Sequence, residues 1–78
     1  MDLLQQARAE IDAVDAEMAA LFERRMRAVA DVARYKAETG KPVFDAAREA
    51  AVLDKNAARI TDETLRPYYR AFLSDAMA

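Results

Sequence analysis

The sequence contains no cysteine and no histidine, and it has only one glycine and two prolines in 78 residues. Without cysteine and histidine there is no disulfide, no thiol nucleophile and no imidazole base, and almost every zinc or haem site is excluded. The scarcity of Gly and Pro, together with a 54% content of hydrophobic residues, predicts an all-α protein. Any catalysis must therefore rely on Lys, Arg, carboxylates, hydroxyls or the backbone.

Charge and hydropathy exclude further classes of protein. The formal net charge is −2 and there is no polybasic run, which argues against a nucleic-acid partner. Neither a signal peptide nor a membrane span is recognisable, so the expectation is a soluble, cytoplasmic protein without a membrane partner. A chain of this length is enough for one domain but provides little core of its own.

The first segment, residues 3–38, lacks both Gly and Pro and carries a sustained heptad pattern. Position a is occupied by Leu4, Ile11, Met18, Arg25 and Val32. Position d is occupied by Ala7, Val14, Leu21, Ala28 and Tyr35. A helix over these residues is about 54 Å long at ~1.5 Å per residue. A compact domain of this size has a radius of gyration of only about 11–12 Å, so the helix overhangs any core within one chain. The pattern predicts an intertwined helical homodimer, with a loose helical monomer as the alternative.

The rest of the chain predicts two shorter helices. Gly40 suits a helix C-terminus, Asp45 is a good N-cap, and Pro67 is favourable as a first helical residue. After the first helix we expect a loop at 39–44, a second helix at 45–59, a connector at 60–66 and a third helix at 67–78. The buried face expected on the third helix consists of Tyr69, Phe72, Leu73 and Ala76. Because this apolar helix stops after barely three turns, we expect that the sequence is clipped at its C-terminus.

Three cations of the first helix are candidates for binding an anion. Arg25 occupies an a position, where an unpaired guanidinium is costly; it either snorkels or pairs with an acid, or it faces a cavity that receives an anion. Lys36 lies eleven residues on, about 16 Å along nearly the same face, so the two could bracket a small dianion. Arg8 is about 42 Å from Lys36 on a straight helix. In an antiparallel dimer crossing near residues 18–22, however, Arg8 of one chain approaches the 25–36 stretch of the other, which creates two equivalent shared sites.

A second charged group begins the second helix. Asp45, Arg48 and Glu49 are spaced i, i+3 and i+4, so they share one helical face. They are either a capped helix start with a solvated salt bridge or one wall of a site for a polar ligand.

The stretches "ARAEIDAVDAEMAALFERRMRAVADVARYK" and "GKPVFDAARE" resemble the all-helical chorismate mutase family, which has three helices per chain and an interlocked dimer. The motifs R-x-x-I-D-x-x-D at 8–15, P-V-x-D at 42–45 and R-E at 48–49 fall in register with Arg25 and Lys36. The resemblance covers residues 3–60 well and the third helix weakly. It implies a mutase of aromatic amino acid biosynthesis, converting chorismate to prephenate without metal or cofactor, and it is compatible with the N-terminal domain of a bifunctional prephenate-pathway enzyme.

The resemblance also implies a role for each candidate residue. Arg8 from the partner chain and Arg25 bind the carboxylates of chorismate, and Lys36 contacts the ether oxygen and a carboxylate. Asp45 and Glu49 hold the region of the ring hydroxyl, and Arg48 lines the same wall. Lys36 and Arg25 are thus the expected catalytic residues, and all six are expected to bind substrate.

The third helix departs from the family pattern. Members carry a hydroxyl residue there, and a Gln or Glu one turn later; here Ala76 falls at the first position in one register, and the second lies beyond Ala78. We therefore expect a fragment with weak or absent activity, cut from a fusion with a downstream prephenate-processing domain. The alternatives are an isochorismate–pyruvate lyase on the same fold, a non-catalytic dimerisation or effector-binding module, and a purely structural coiled coil.

Overall fold

The computed structural model describes residues 2–41 and 45–77, and these form three α-helices without a strand. The helices are α1 (Leu3–Thr39), α2 (Ala46–Ala57) and α3 (Arg66–Met77), and a 3-10 turn (Glu63–Leu65) leads into α3. The predicted all-α class, with three helices and a very long first one, is confirmed. The chain divides into two compact units, Met1–Val43 with α1 and Phe44–Ala78 with α2 and α3.

The two ends of α1 are closed by local hydrogen bonds. At its start, the Asp2 carboxylate accepts from the backbone N–H of Gln5 at 2.7 Å, which satisfies one of the free donors of the first turn. At its end, Gly40 adopts a left-handed conformation with φ 72°, and the N–H groups of Gly40 and Lys41 both donate to the carbonyl of Lys36. The helix therefore ends at Thr39, one residue after the predicted end.

The apolar stripe of α1 is exposed along its whole length. No residue of α1 is buried, and even Leu21 and Phe22, at the middle of the helix, are 57% and 52% exposed. The other large exposed side chains of this helix are Leu3, Leu4, Ile11, Val14, Met18, Met26, Val29, Val32 and Tyr35. A contiguous apolar surface of this extent is typical of an interaction site rather than of a free surface.

The second unit has a small core between α2 and α3. Ala57 of α2 and Leu73 of α3 are its buried residues, at 6% and 7% exposure. Val52, Leu53, Ile60 and Tyr69 of the same unit are half-buried. Arg70 of α3 donates to the Asp54 carboxylate of α2 at 2.6 Å, and the Nε of Arg66 at the start of α3 donates to the carbonyl of Ile60 in the connector at 2.8 Å.

The predicted end of α2 at residue 59 is wrong by two residues. Ala57 is the last helical residue, because the chain then tightens into i→i+3 bonds from Arg59 to Asn56 and from Ile60 to Ala57. Such tightening is a common way to satisfy the last carbonyls of a helix.

The predicted start of α3 at Pro67 is also wrong, by one residue. Asp62 accepts from the N–H of Thr64 at 3.0 Å and starts the 3-10 turn, which continues directly into α3 at Arg66. The expected burial of Phe72 is not observed either: the residue is 53% exposed, and its ring stacks with that of Tyr69, at 6.1 Å between centroids. The predicted final residue of this helix, Ala78, and residues 42–44 of the predicted loop lie outside the described residues.

Candidate functional site

Two of the three candidate cations, Arg25 and Lys36, are less exposed to solvent than the other charged residues of α1. Arg25, Ala33 and Lys36 are half-buried, whereas every other residue of the helix is exposed. Arg25 lies on the a/d stripe and Lys36 in the position beside it, so both cations border the exposed apolar surface. A cation beside an apolar surface gains from an anionic partner that satisfies its charge.

The regular helix fixes the spacing of the three candidate cations of α1. Arg25 and Lys36 are eleven helical residues apart, or about 16 Å, and Arg8 is 28 residues before Lys36, or about 42 Å. α1 is one uninterrupted helix from Leu3 to Thr39, so no bend returns Arg8 toward the other two. The structure of one chain therefore does not bring Arg8 together with Lys36.

The last turn of α1 holds the backbone of Lys36 firmly. Its carbonyl accepts from the N–H of Lys41 at 3.0 Å, and the Thr39 hydroxyl donates to the carbonyl of Tyr35 at 2.9 Å. The ammonium of Lys41 lies 5.6 Å from the centroid of the Tyr35 ring, within the range of a cation–π contact. The sequence interpretation missed this contact; the Gly40 left-handed turn, which brings Lys41 back toward the helix, was its only signal.

The charged group at the start of α2 is a genuine helix cap. The Asp45 carboxylate accepts from the N–H of Arg48 at 3.0 Å, and the Asp45 carbonyl accepts from the N–H of Glu49 at 3.0 Å. Glu49 is half-buried and Arg48 is exposed. Neither side chain forms an ion pair within the described residues 2–41 and 45–77, so the alternative of a salt bridge is not observed there. Within the described residues, the second oxygen of Asp45 and the Glu49 carboxylate have no hydrogen-bond or ion-pair partner, and spacing puts both residues on one face of α2.

The electrostatics of the described residues include one clear perturbation. The Thr64 hydroxyl and then the Thr64 backbone N–H donate to the Asp62 carboxylate, and both hydrogen bonds lower its pKa. This carboxylate caps the turn before α3 and is not among the candidate site residues.

The described residues provide neither a cluster for a metal ion nor a membrane span. No group of three or more acidic residues in this part of the chain is arranged to hold a metal ion. No helix within it is long and apolar enough to cross a membrane.

The fold, the heptad stripe and the cations of α1 together define a class of small all-helical protein, and comparison with known proteins identifies it. The chain belongs to the family of type II chorismate mutases, whose pattern it matches over residues 7–77. The predicted family is thereby confirmed.

Two curated relatives agree with this assignment. The chain is 30% identical over 83 aligned residues to the T-protein of Haemophilus influenzae; the alignment covers 100% of the chain but only 22% of that relative. It is 32% identical over 74 residues to the 4-amino-4-deoxychorismate mutase of Streptomyces venezuelae, covering 95% of the chain and 72% of the relative. No solved structure matches the chain.

Proposed function

We propose that this chain catalyses the rearrangement of chorismate to prephenate, a step toward phenylalanine and tyrosine. Membership of the type II chorismate mutase family supports the reaction class. The observation that carries the proposal is the position of Arg25 and Lys36, two half-buried cations about 16 Å apart at the edge of an apolar helical surface. This arrangement suits a small, partly apolar ligand with two carboxylates.

The active assembly in this proposal is an antiparallel homodimer. The exposed stripe of α1, with Leu21 and Phe22 near its middle, supplies the surface that a second copy would cover. Antiparallel packing places Arg8 of the partner near the 25–36 stretch, so that each dimer has two sites and each site uses both chains. A soluble, cytoplasmic location belongs to the same proposal.

The chemistry requires positioning and charge stabilisation. The rearrangement is intramolecular, so no nucleophile, base, metal or cofactor is needed. Arg25 and the partner's Arg8 would hold the two carboxylates by bidentate contacts and fold the enolpyruvyl group over the ring. Lys36 would donate to the ether oxygen, where negative charge develops as the C–O bond breaks. The hydrogen bonds to the Lys36 carbonyl would reduce the freedom of the turn that carries this donor.

The family resemblance assigns the start of α2 to the side of the substrate that carries the ring hydroxyl. Asp45 and Glu49 share one face of the helix, and the cap fixes the position of Asp45. Two acceptors one turn apart suit a hydroxyl donor on the ring. Arg48 would line the same wall.

The experiment that tests the proposal follows the loss of chorismate and the formation of prephenate in the purified chain and in any longer form that its reading frame encodes. Light scattering at micromolar concentration gives the oligomeric state of the same samples. The proposal predicts a dimer that forms prephenate. A cooperatively melting monomer, or a dimer that neither binds nor converts chorismate, would contradict it.

A second candidate substrate is 4-amino-4-deoxychorismate. It is favoured by the relative that bears this substrate in its name, and by the two carboxylates that we place near the ring substituent. A ring ammonium would interact with Asp45 and Glu49 more strongly than a hydroxyl does. Comparing kcat/KM for the two substrates, with isochorismate as a third, separates the mutase candidates from the lyase.

A further inference from the structure

The charges of α1 are segregated along the helix. Residues 3–23 carry five carboxylates and one cation, a net charge of −4, whereas residues 24–39 carry five cations and two carboxylates, a net charge of +3. The change of sign falls close to the middle of the 37-residue helix. A helix with this distribution is complementary to a second copy of itself in the antiparallel direction and repels it in the parallel one.

Interaction with the helix dipole does not explain this pattern. The dipole acts on charges within the first and last turns. The first turn of α1 contains no acidic residue, and the last turn contains one basic residue, Lys36. The carboxylates begin only at Glu10, about two turns into the helix, where the dipole contributes little.

Ion pairs within the chain explain only part of the pattern. Glu23 pairs with Arg27 at 3.9 Å, and Asp31 pairs with Arg34 at 3.6 Å. Within the part of the chain that the structure describes, the remaining α1 carboxylates form no ion pair, and neither do three of its arginines. The carboxylates are Glu10, Asp12, Asp15, Glu17 and Glu38, and the arginines are Arg8, Arg24 and Arg25.

We propose that these charges direct the pairing of α1 with a second copy of the chain, and that Glu17 of one copy pairs with Arg24 of the other. The inference rests on the dimer of the proposed function and adds what sets its orientation. Glu17 and Arg24 are one heptad apart, and both flank the a/d stripe at position g. In an antiparallel pair that crosses near residues 18–22, position 17 faces position 24. The two-fold axis then makes this pair twice.

The same alignment contains an unfavourable g–g contact, which the two-fold axis also makes twice. Glu10 faces Asp31 of the second copy, but Asp31 already lies 3.6 Å from Arg34 of its own chain, which offsets the repulsion. In a parallel pair, g positions face e positions, so Glu17 faces Phe22 and Arg24 faces Val29. An energetic coupling between Glu17 and Arg24 across chains is therefore a property of the antiparallel arrangement.

The test is a charge exchange measured by sedimentation equilibrium at low ionic strength. E17R and R24E each place like charges together twice, and each should raise the dimer dissociation constant about tenfold. The double variant E17R/R24E restores opposite charges and should return to within about threefold of the parent. E23R is the matched control: it disrupts an i,i+4 pair on the same helix, and its dissociation constant should stay near the parent value. At 1 M salt, where the screening length is about 3 Å, the single variants should approach the parent.

A distance measurement keeps the inference testable if a variant folds poorly. The chain has no cysteine, so Ala9→Cys carries one spin label, on the side of α1 away from the stripe. In an antiparallel dimer, two such labels are offset by about 35 Å along the helix axis, whereas in a parallel dimer they lie at the same level along it and are closer together.

The outcomes separate this inference from the proposed function. A dimer that forms prephenate but shows additive losses in E17R/R24E, or labels without the axial offset of about 35 Å, overturns the charge-directed pairing and leaves the function intact. A chain that is monomeric at low salt overturns both.

Discussion

The carbonyl of Lys36 accepts the backbone N–H of Gly40, which adopts a left-handed conformation with φ 72°. Gly40 lies four residues after the proposed catalytic Lys36 and directly after Thr39, the last residue of α1. A Cβ added to Gly40 would meet no atom within 4 Å, so a substitution there acts on the backbone conformation alone. The pair therefore offers a clean test of how the helix end supports Lys36.

Gly40→Ala should lower the free energy of unfolding by about 1–2 kcal/mol, because an L-residue is strained in the left-handed region. Gly40→Asn should lose less, since Asn tolerates this conformation better. Chemical denaturation of the three proteins measures the difference. Equal stability of the Ala variant and the parent would mean that the left-handed turn does not terminate the helix in solution.

Removal of the Lys36 amine should abolish most of the chemistry and preserve the fold. Lys36→Ala is expected to lower kcat at least about a hundredfold, an effect comparable to that of losing one oxyanion donor. Lys55→Ala, which removes an exposed lysine from the last turn of α2, is the matched control and should keep the parent rate. A Lys36→Ala protein with a near-normal rate would show that this amine is only a surface charge.

Arg25 should strengthen the binding of chorismate and weaken the dimer. Arg25→Leu restores an apolar residue to the a position, so the dimer should gain about 1 kcal/mol or more in stability. The same variant should lose affinity for chorismate at least about tenfold, because a carboxylate loses its bidentate partner. Thermal melting and calorimetric titration measure the two effects. Arg27→Leu, on the outer side of the helix, should change neither quantity by a comparable amount, and loss of stability in Arg25→Leu would favour a structural role for Arg25.

The Asp62 cap should give the second unit a dependence on acid pH. The two hydrogen bonds from Thr64 lower the pKa of Asp62, so the folded state favours the ionised form. Its contribution to stability is complete above the ordinary pKa of an aspartate, about 3.9, and is lost as the pH falls through the lower folded value. A carboxyl titration by NMR should place the Asp62 midpoint below that of an unperturbed aspartate, and Thr64→Val should raise it. A midpoint at or above the ordinary value would mean that the cap is absent in solution.

The sequence predicted the elements with strong local signals. Residues 3–38 predict the long helix because their heptad pattern runs without Gly or Pro. Asp45 predicts the start of α2 because its side chain caps the first turn. The start of α3 was misplaced because the Asp62 cap was interpreted as part of a connector. Phe72 was expected in the core because helical periodicity identifies a face but not how much of it the small α2–α3 pair can cover.

The candidate site was predictable only in part. Charge at an a position singled out Arg25, and spacing linked it to Lys36, but no pattern along one chain determines which residues of two copies meet. The separation of Arg8 from Lys36, about 42 Å on one helix, is what makes the proposed site depend on assembly.

The measurement that tests the shared site most directly is complementation between two inactive variants. Arg8→Ala and Lys36→Ala homodimers should each be nearly inactive, since every site in them has one lesion. In the mixed dimer, one site receives both intact residues and the other receives both lesions, so the rate per mixed dimer should approach half that of the parent dimer. If Arg8 acted in the site of its own chain, each site of the mixed dimer would keep one lesion. An absence of recovery after verified subunit exchange would contradict the shared site.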